Sequence, residues 1–306
     1  MDLALATAKQ ENRPVYVCAP MVRYSKLPFR LLVRKYGCDV CFTPMMIASS
    51  FVNSECARKS DFSTSTDDRP LIAQFASNNA IDLANAAEII APYCDGIDLN
   101  CGCPQKWAMA EGYGSHLIYK PELVADMVRQ TQSRISKPEF SVSIKIRIHD
   151  DLRQTVSLAQ AAQAAGISFL SVHGRTPKER KQPVHCDAFG ELKAALRIPV
   201  IANGDIRSVS DAQRIYDDYG VDGVMTARGI LHNPALFDGY SETPEQCIRD
   251  WINICLSHRH VYSQLHHHLM YMLDGHLNRS EKQIFNRLQS TPALLDYLKN
   301  ELKITL

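Results

Sequence analysis

The feature of this sequence that most limits its fold is the regular return of short apolar runs between helical patterns. Each run is rich in the aliphatic and β-branched residues that suit a strand buried on both faces. The intervening segments repeat apolar residues at i, i+3 and i+4, and several begin at Pro or Ser and end at Gly. Eight strands alternating with helices in 306 residues predict an α/β fold, a (β/α)8 barrel. The predicted strands are VYVCAPM (15–21), VCFTP (40–44), LIAQFA (71–76), GIDLN (96–100), SVSIKIR (141–147), FLSVHG (169–174), PVIANG (199–204) and GVMTAR (223–228).

The same pattern divides the chain into two regions. Strand and helix signals alternate up to Tyr240, and residues 241–306 then carry helix signals alone. We therefore expect a barrel domain over residues 1–240 and a small C-terminal helical domain over residues 241–306. A doubly wound sheet is the alternative for the first region. It requires a glycine-rich turn after the first strand, where the sequence instead has Ala19-Pro20-Met21-Val22.

Composition limits the compartment and the partners. The net charge of +1 neither requires nor excludes a nucleic-acid partner, because a local basic surface is enough to bind phosphates. The ten cysteines have no disulfide spacing, so we expect reduced thiols in the cytoplasm or also the nucleus. Leu3-Ala4-Leu5-Ala6 is too short for a secretory leader, and no apolar run reaches about 18 residues, so we expect no membrane span. Nothing in the composition points to an obligate protein partner.

The cysteine and histidine clusters do not indicate a metal site. Cys38 and Cys41 have zinc or redox spacing, but no second ligand pair follows at zinc-finger distance. The run His266-His267-His268 lies in a helical pattern, which turns consecutive side chains to different faces. We expect no metal, and we expect these histidines to be solvated or to contact bases. Further basic residues of this region are His258, Arg259, His260, His276, Arg279, Lys282 and Arg287.

Polar side chains concentrate where the predicted strands end. In a barrel these ends meet at one face, where functional residues gather. Any one of them could simply satisfy a loop, but so many at the ends of several strands favour a shared site. They are Gln74, Asn100, Lys145, Arg147, His173, Arg175, Asn203, Asp205 and Arg228.

The last two strand ends, IANGDI and TARGI, predict a phosphate site. Loops at this place in a barrel often hold phosphate through backbone N–H groups. Gly204 and Gly229 would permit close approach of the backbone, and Arg228 would add charge and bidentate contacts. Ordinary turns are the alternative interpretation.

Lys145 is the most informative single residue. It alternates with Ile144 and Ile146 in an apolar strand, so it should point into the barrel mouth, where an unpaired lysine is costly. It could form a Schiff base or lie beside an anionic ring such as a flavin. Gln74 and His173 could then serve the polar edge of that ring.

The segment DLNCGCPQKWAMAEGYGSHL, from Asp98 to Leu117, leaves three interpretations open. Cys101 and Cys103 could be a zinc pair, a redox pair or a single catalytic thiol with a structural neighbour. The residues that follow are small and rich in glycine, so we expect a mobile loop and no helix.

Several of these motifs together carry a family resemblance. The sequence resembles the tRNA-dihydrouridine synthases over about residues 15–240, and HHHLMYMLDG (266–275) resembles the family's helical motif. It is most similar to the eukaryotic subfamily acting at D-loop positions 20a and 20b. After HGRT the family commonly has an aromatic-rich stretch ending in Trp, whereas this chain has the more basic PKERKQPVHCDAF. The motifs, in order, are APMVRYSKLPFRLLVRKYG, LIAQFA, DLNCGCPQ, SIKIR, VHGRT, IANGDI and VMTARG.

The resemblance implies an FMN-binding catalytic barrel followed by a helical tRNA-binding domain. Asn100 and Arg175 would face the uracil, and Lys178, Arg180, Arg279 and Lys282 are candidates for contacts with tRNA. NADPH or NADH would reduce the flavin. The residues implied to hold FMN are Pro20, Met21, Val22, Gln74, Lys145, His173, Asn203, Gly204, Asp205, Ala227, Arg228 and Gly229.

The implied reaction gives Cys103 a role. Hydride passes from reduced flavin to C6 of uridine, and the thiol of Cys103 supplies a proton to C5 as general acid. Cys101 would be structural, and Gly112 and Gly114 would let the loop open for RNA and close again. Two alternatives stay open: a flavin barrel that reduces a free pyrimidine, and a tRNA-binding protein without catalysis.

Overall fold

The computed structural model describes residues 1–258 and 261–304 of the chain. Nine strands of this part form one parallel sheet, and eight of them close into a barrel. Because β1 pairs with both β2 and β9, and β2 also pairs with β4, the sheet has no open edge between its first and last strands. The strands are β1 Val15–Cys18, β2 Val40–Phe42, β3 Met46–Ile47, β4 Leu71–Ala76, β5 Gly96–Cys101, β6 Ser141–Arg147, β7 Phe169–His173, β8 Val200–Asn203 and β9 Gly223–Thr226.

This closure confirms the predicted (β/α)8 barrel and rules out the doubly wound sheet, which is open. The eight predicted strands are all present. The additional strand β3 pairs only with the end of β4, with Met46 opposite Phe75 and Ile47 opposite Ala76. It lengthens one wall of the barrel without entering the closed ring.

Helices surround the barrel, and their ends follow the sequence signals. Asn79, Asp151 and Ser208 cap the starts of three helices with side-chain oxygens, and Gly220 ends one with a left-handed φ of 63°. The helices up to the end of the barrel are α1 Asp2–Gln10, α2 Leu27–Lys35, α3 Ala48–Asn53, α4 Glu55–Asp61, α5 Ala80–Ile90, α6 Lys106–Ala110, α7 Pro121–Arg134, α8 Leu152–Ala164, α9 Asp187–Ala195, α10 Val209–Tyr219 and α11 Arg228–His232.

The segment after Cys103 differs from expectation. It contains the short helix α6 and a 3-10 helix over Gly114–Tyr119, so the prediction of a loop without helix was wrong. Both turns are fixed by contacts: the N–H of Tyr113 donates to the Ala108 carbonyl at 2.7 Å, and the N–H of Ser115 donates to the Cys103 carbonyl at 2.9 Å. Gly112 and Gly114 have φ of 77° and 61°, which the turns between these pieces require.

The region after the barrel consists of helices in the residues that the structure describes. α12 packs on α2, where Trp251 lies against Phe29 with ring centroids 6.2 Å apart. The hydroxyl of Tyr36 donates to the Asp250 carboxylate at 2.7 Å. These contacts attach the helical region to the barrel wall. The helices are α12 Glu245–Ser257, α13 Tyr262–Met272, α14 Arg279–Phe285 and α15 Thr291–Asn300.

From the sequence we expected the histidines of α13 to be solvated or to contact bases. In the structure they do not form a solvated cluster. His266 and His268 are buried, and only His267 of the three is exposed. The Nε2 atom of His266 lies 2.9 Å from the Phe285 carbonyl oxygen, and the His268 ring stacks on Phe29 with centroids 4.5 Å apart. Two of the three histidines therefore belong to the core that joins α13 to its neighbours.

The remaining predictions concern Arg259 and His260, a metal site and a membrane span. Arg259 and His260 lie outside the described residues. Within the described chain, no three His, Cys, Asp or Glu side chains converge as metal ligands. None of the helices in residues 1–258 and 261–304 is long and apolar enough to cross a membrane.

Candidate active site

A cavity of about 430 Å³ opens at the carboxyl ends of the barrel strands. This is the face where the sequence places its polar residues, and the structure brings most of the predicted site together there. The predicted residues that line the cavity are Pro20, Val22, Gln74, Asn100, Cys103, Lys145, His173, Arg175, Arg180, Asn203, Gly204, Asp205, Ala227, Arg228 and Gly229.

Four predicted residues lie elsewhere. Met21 is buried beside the cavity wall, where its backbone N–H donates to the Ser25 hydroxyl at 3.0 Å. Lys178 is exposed and pairs with Asp150 at 2.7 Å. Arg279 and Lys282 belong to α14 in the helical region. These four carry no contact within the cavity.

Cys103 lies in the cavity, whereas Cys101 does not. Cys101 ends β5 fully buried, and burial raises the pKa of its thiol well above the ordinary value. The two cysteines are therefore not an exposed pair, which favours the interpretation of a single reactive thiol with a structural neighbour.

The backbone around Cys103 is held from two sides. The Oδ1 atom of Asn100 accepts from the N–H groups of Gly102 at 3.2 Å and Cys103 at 2.9 Å. On the other side, the Nε of Arg147 donates to the Gly102 carbonyl at 3.0 Å, and its Nη1 donates to the Thr176 carbonyl at 2.9 Å. Strand side chains thus tie the thiol-bearing loop to the ends of β5 and β6.

Lys145 points into the cavity, as its alternation predicted. Its Nζ donates to the Asn203 Oδ1 at 2.9 Å, while the Asn203 Nδ2 donates to the Met225 carbonyl at 2.7 Å. Desolvation and the nearby Arg147 lower the pKa of Lys145 to about 8, although Asp98 and Cys103 oppose the shift. The ammonium is a half-buried cation with two further N–H donors to offer a ligand.

His173 lies among cations and is neutral over the physiological range. Burial, and then the charges of Lys145, Arg147, Arg175 and other arginines, lower its pKa to about 2. A neutral imidazole offers one donor and one acceptor, so His173 can hydrogen-bond the polar edge of an aromatic ring without adding charge.

Asp205 follows β8 and pairs with two arginines, one after β7 and one after β9. Its Oδ2 accepts from the Nη2 of Arg175, which is buried, and its Oδ1 accepts from the Nη2 of the exposed Arg228 at 3.0 Å. The Nε of Arg175 also donates to the Gln182 carbonyl at 2.5 Å. The carboxylate therefore orients the arginines, and the arginines are the groups suited to bind an anion.

The structure adds cavity residues that had not been assigned to the site. Arg147 was noted as a strand end but given no role, although its position two residues after Lys145 places both on the same face of β6. Arg207 and Gln105 follow β8 and the Cys103 turn, and only their nearness to those motifs signals them. The other added lining residues are Met45, Gly102, Pro104, Ile206, Met225 and Thr226.

The arrangement suits an elongated anionic cofactor and a proton transfer. Lys145 and His173 offer donors at the buried end, and Arg207 and Arg228 offer positive charge towards the rim. Cys103 provides a thiol within the same cavity, after β5, which lies four strands round the ring from β9, the strand that precedes Arg228. A thiol can give a proton to a carbon that has just accepted hydride.

Comparisons with known proteins assign the chain to a family. A profile of the dihydrouridine synthase family (Dus) matches residues 17–303. The human protein tRNA-dihydrouridine(20a/20b) synthase [NAD(P)+]-like is 59% identical over 93% of this chain and 90% of its own length. The Saccharomyces cerevisiae tRNA-dihydrouridine(20a/20b) synthase [NAD(P)+] is 42% identical over 94% of this chain and 80% of its own.

Solved structures resemble the fold at low sequence identity. Histamine dehydrogenase from Rhizobium sp. 4-9 has a TM-score of 0.57 at 10% identity, covering 78% of this chain and 49% of that one. The old yellow enzyme from Trypanosoma cruzi has a TM-score of 0.53 at 9% identity, covering 78% and 88%. Such identities support the barrel fold alone. The family match and the curated relatives confirm the resemblance seen in the motifs, and the chain belongs to the dihydrouridine synthase family.

Proposed function

We propose that this chain is a flavin-dependent tRNA-dihydrouridine synthase that uses FMN and NAD(P)H and acts at D-loop positions 20a and 20b. The observation that carries the proposal is the meeting of Cys103 and the half-buried Lys145 in one cavity at the barrel mouth. The family match supports the chemistry, and the names of the curated relatives support the two positions.

The residues present fit a flavin mononucleotide. The half-buried Lys145 ammonium, with free donors, suits the electron-rich edge of an isoalloxazine ring, and neutral His173 can hydrogen-bond the same ring. Arg228 and Arg207 suit a phosphate. Asn203 accepts from Lys145 and donates to the Met225 carbonyl. It would therefore fix the position of Lys145 relative to β9.

In this proposal side chains of the protein orient the uracil and donate one proton to it. The flavin, when bound and reduced by NAD(P)H, supplies the hydride for C6 of the uracil. Cys103 gives the proton on its Sγ to C5, so that the double bond is reduced by one hydride and one proton. Arg147 and Asn100 hold the thiol where it can reach the base. Arg180 is exposed at the cavity wall, where it could contact the uracil or its neighbouring phosphates, whereas Arg175 is already held by Asp205 and the Gln182 carbonyl.

The helical region would bind the tRNA that presents this base. The target uridine lies inside a folded RNA and must be extruded into the cavity, so contacts beyond the barrel mouth are needed. Arg279 is exposed on α14 and is a candidate for a phosphate contact, as are Lys178 and Arg180 on the loop after β7. Lys282 pairs with Asp274 at 2.7 Å, so its ammonium is partly neutralised.

The deciding experiment maps dihydrouridine at nucleotide resolution. An unmodified tRNA with uridines at 20a and 20b is incubated with the full chain, FMN and NADPH, and a Cys103→Ala variant is the control. We expect dihydrouridine at these positions with the native chain only. Reduction of free uracil or uridine with untouched tRNA would instead support the free-pyrimidine alternative. Tight tRNA binding without flavin would support a binding protein.

A further inference from the structure

A chain of buried side chains leads from the barrel interior to the loop that carries Cys103. Asp98, on β5, is fully buried, and Gln74, on β4, is 1% exposed. The Nε2 of Gln74 donates to the Asp98 Oδ2 at 2.8 Å, and the Nδ2 of Asn100 donates to the Gln74 Oε1 at 2.8 Å. The Asn100 Oδ1 then accepts from the N–H of Cys103 at 2.9 Å.

The direction of these hydrogen bonds is set at the Asp98 end. A carboxylate can only accept, so the amide group of Gln74 must turn its nitrogen towards Asp98 and its oxygen towards Asn100. Asn100 must then turn its nitrogen towards Gln74, which leaves its oxygen for the backbone N–H groups. Reversing Asn100 would place its Nδ2 against the N–H groups of Gly102 and Cys103, and reversing Gln74 would place its Nε2 against the Asn100 Nδ2.

A second donor keeps Asp98 in place. The hydroxyl of Ser143, on β6, donates to the Asp98 Oδ1 at 2.7 Å, and Ser143 is itself fully buried. The positive charge of Lys145 lies close enough to stabilise the carboxylate, whereas desolvation raises the pKa of Asp98 to about 6. Because both oxygens of Asp98 accept from these neighbours, the carboxylate has a fixed orientation.

We propose that Asp98 is a positioning residue, which acts through Gln74 and Asn100 to hold the backbone of Gly102 and Cys103 in the cavity. It does not face the reacting atoms, because it lines no part of the cavity. Its effect on catalysis rests on the proposed role of Cys103. Its effect on the loop does not, and can be measured without any substrate.

The test uses hydrogen exchange of the backbone amides at residues 102 and 103 in the full chain with its bound flavin. Asp98→Leu removes the acceptor with little change in volume, so both amides can reverse. We expect exchange at these two amides to become about tenfold faster, the size expected for one lost hydrogen bond. Ser143→Ala is the matched control: it removes the other donor to Asp98 but keeps the bond from Gln74, so exchange at residues 102 and 103 should stay closer to that of the native chain than in Asp98→Leu.

Asp98→Asn distinguishes hydrogen bonding from charge. The new amide can still accept from Gln74 while its nitrogen donates to the Ser143 hydroxyl, so exchange should stay near that of the native chain. If this variant exchanges as fast as Asp98→Leu, the charge facing Lys145 is what matters and the positioning role is wrong. Unchanged exchange in folded Asp98→Leu would also overturn the proposal.

Gln74→Met provides an independent break in the same chain of hydrogen bonds. It leaves Asp98 in place, so it decides the matter even where Asp98→Leu does not fold. We expect faster exchange at residues 102 and 103, and unchanged exchange would contradict the inference. For turnover with tRNA, Asp98→Leu should lower kcat at nearly unchanged KM for NADPH. If exchange changes and turnover does not, the role of Asp98 in holding the loop stands. That result would count against Cys103 as the acid.

Discussion

Gly114 packs so closely on Cys103 that a Cβ atom at residue 114 would lie 2.9 Å from the Cβ of Cys103, and closer still to its carbonyl oxygen. The 3-10 helix that begins at Gly114 therefore packs directly on the loop that carries Cys103, the proposed acid. A side chain there cannot be added unless Cys103 moves.

Gly114→Ala should consequently have a larger effect on the rate of turnover than on the unfolding free energy. We expect dihydrouridine formation to fall at least tenfold, because small displacements of a catalytic group are costly. Flavin reduction by NADPH should persist. Gly112→Ala is the matched control: its φ is also positive, but a Cβ there would meet only Asn78 at 3.5 Å. Equal losses of activity in the two variants would mean that backbone strain, and not the contact with Cys103, limits the reaction.

Cys103→Ala and Cys101→Ala should separate chemistry from packing. Loss of the Cys103 thiol should reduce dihydrouridine formation by about 10²-fold or more, the usual contribution of a general acid. FMN binding and reduction by NADPH should continue. Cys101→Ala should leave the rate nearly unchanged and lower the unfolding free energy by about 1 kcal/mol, since it removes a buried sulfur. Exchanged phenotypes would show that the acid has been assigned to the wrong cysteine.

The depressed pKa of Lys145 predicts a pH dependence of stability. Without bound cofactor the folded chain releases the Lys145 proton near pH 8, whereas the unfolded chain keeps it until about 10.5. Between these values the unfolded state binds more protons, so the unfolding free energy contributed by this group rises with pH. In urea unfolding, the unfolding free energy of the apo chain should therefore rise relative to that of Lys145→Met from pH 8 to 10.5. A constant difference would show that Lys145 is not desolvated in this way.

Arg228→Ala should weaken FMN retention. A charge-assisted hydrogen bond to a phosphate contributes about 1.5–3 kcal/mol, so the Kd for FMN should rise by tenfold or more. Riboflavin, which lacks the phosphate, should bind both forms equally. Lys178→Ala is the control, because it removes an exposed cation that lies outside the cavity. An FMN affinity that is equally unaffected in both variants would place the phosphate elsewhere.

Binding of tRNA should depend more on Arg279 than on Lys282. Arg279 is exposed and has no ion pair among the described residues, whereas Lys282 is paired with Asp274. Each lost phosphate contact should reduce the dependence of log Kd on log salt by about 0.9 on duplex RNA regions. Titrations over a range of salt concentrations should show this for Arg279→Ala. A slope equal to that of the native chain would indicate that the barrel surface alone contacts the RNA.

Substitutions test the helical region better than deletion does. α12 covers Phe29, and Tyr36 bonds Asp250 across the same boundary. A chain ending near Tyr240 would expose this apolar wall of α2, so loss of tRNA binding in it would be confounded by loss of folding.

The cavity was largely predictable because it follows from strand periodicity. Lys145 and Gln74 stand at alternating positions of apolar strands, and a closed barrel brings such positions to one face. The short helix α6 was not predictable, since five residues are too few to form a stable helix without the packing of the folded chain. His268 was misjudged for a related reason: its aromatic partner Phe29 is remote in sequence.

The attachment of α12 to α2 has a consequence for how two neighbouring uridines could be served. Contacts such as Trp251 on Phe29 and Tyr36 with Asp250 join the helical region to the barrel, whose described cavity contains the Cys103 thiol. We expect such a unit to keep one distance between its helical region and Cys103. If both 20a and 20b are substrates, it is the RNA that must advance by one nucleotide between reactions, while the protein keeps its shape.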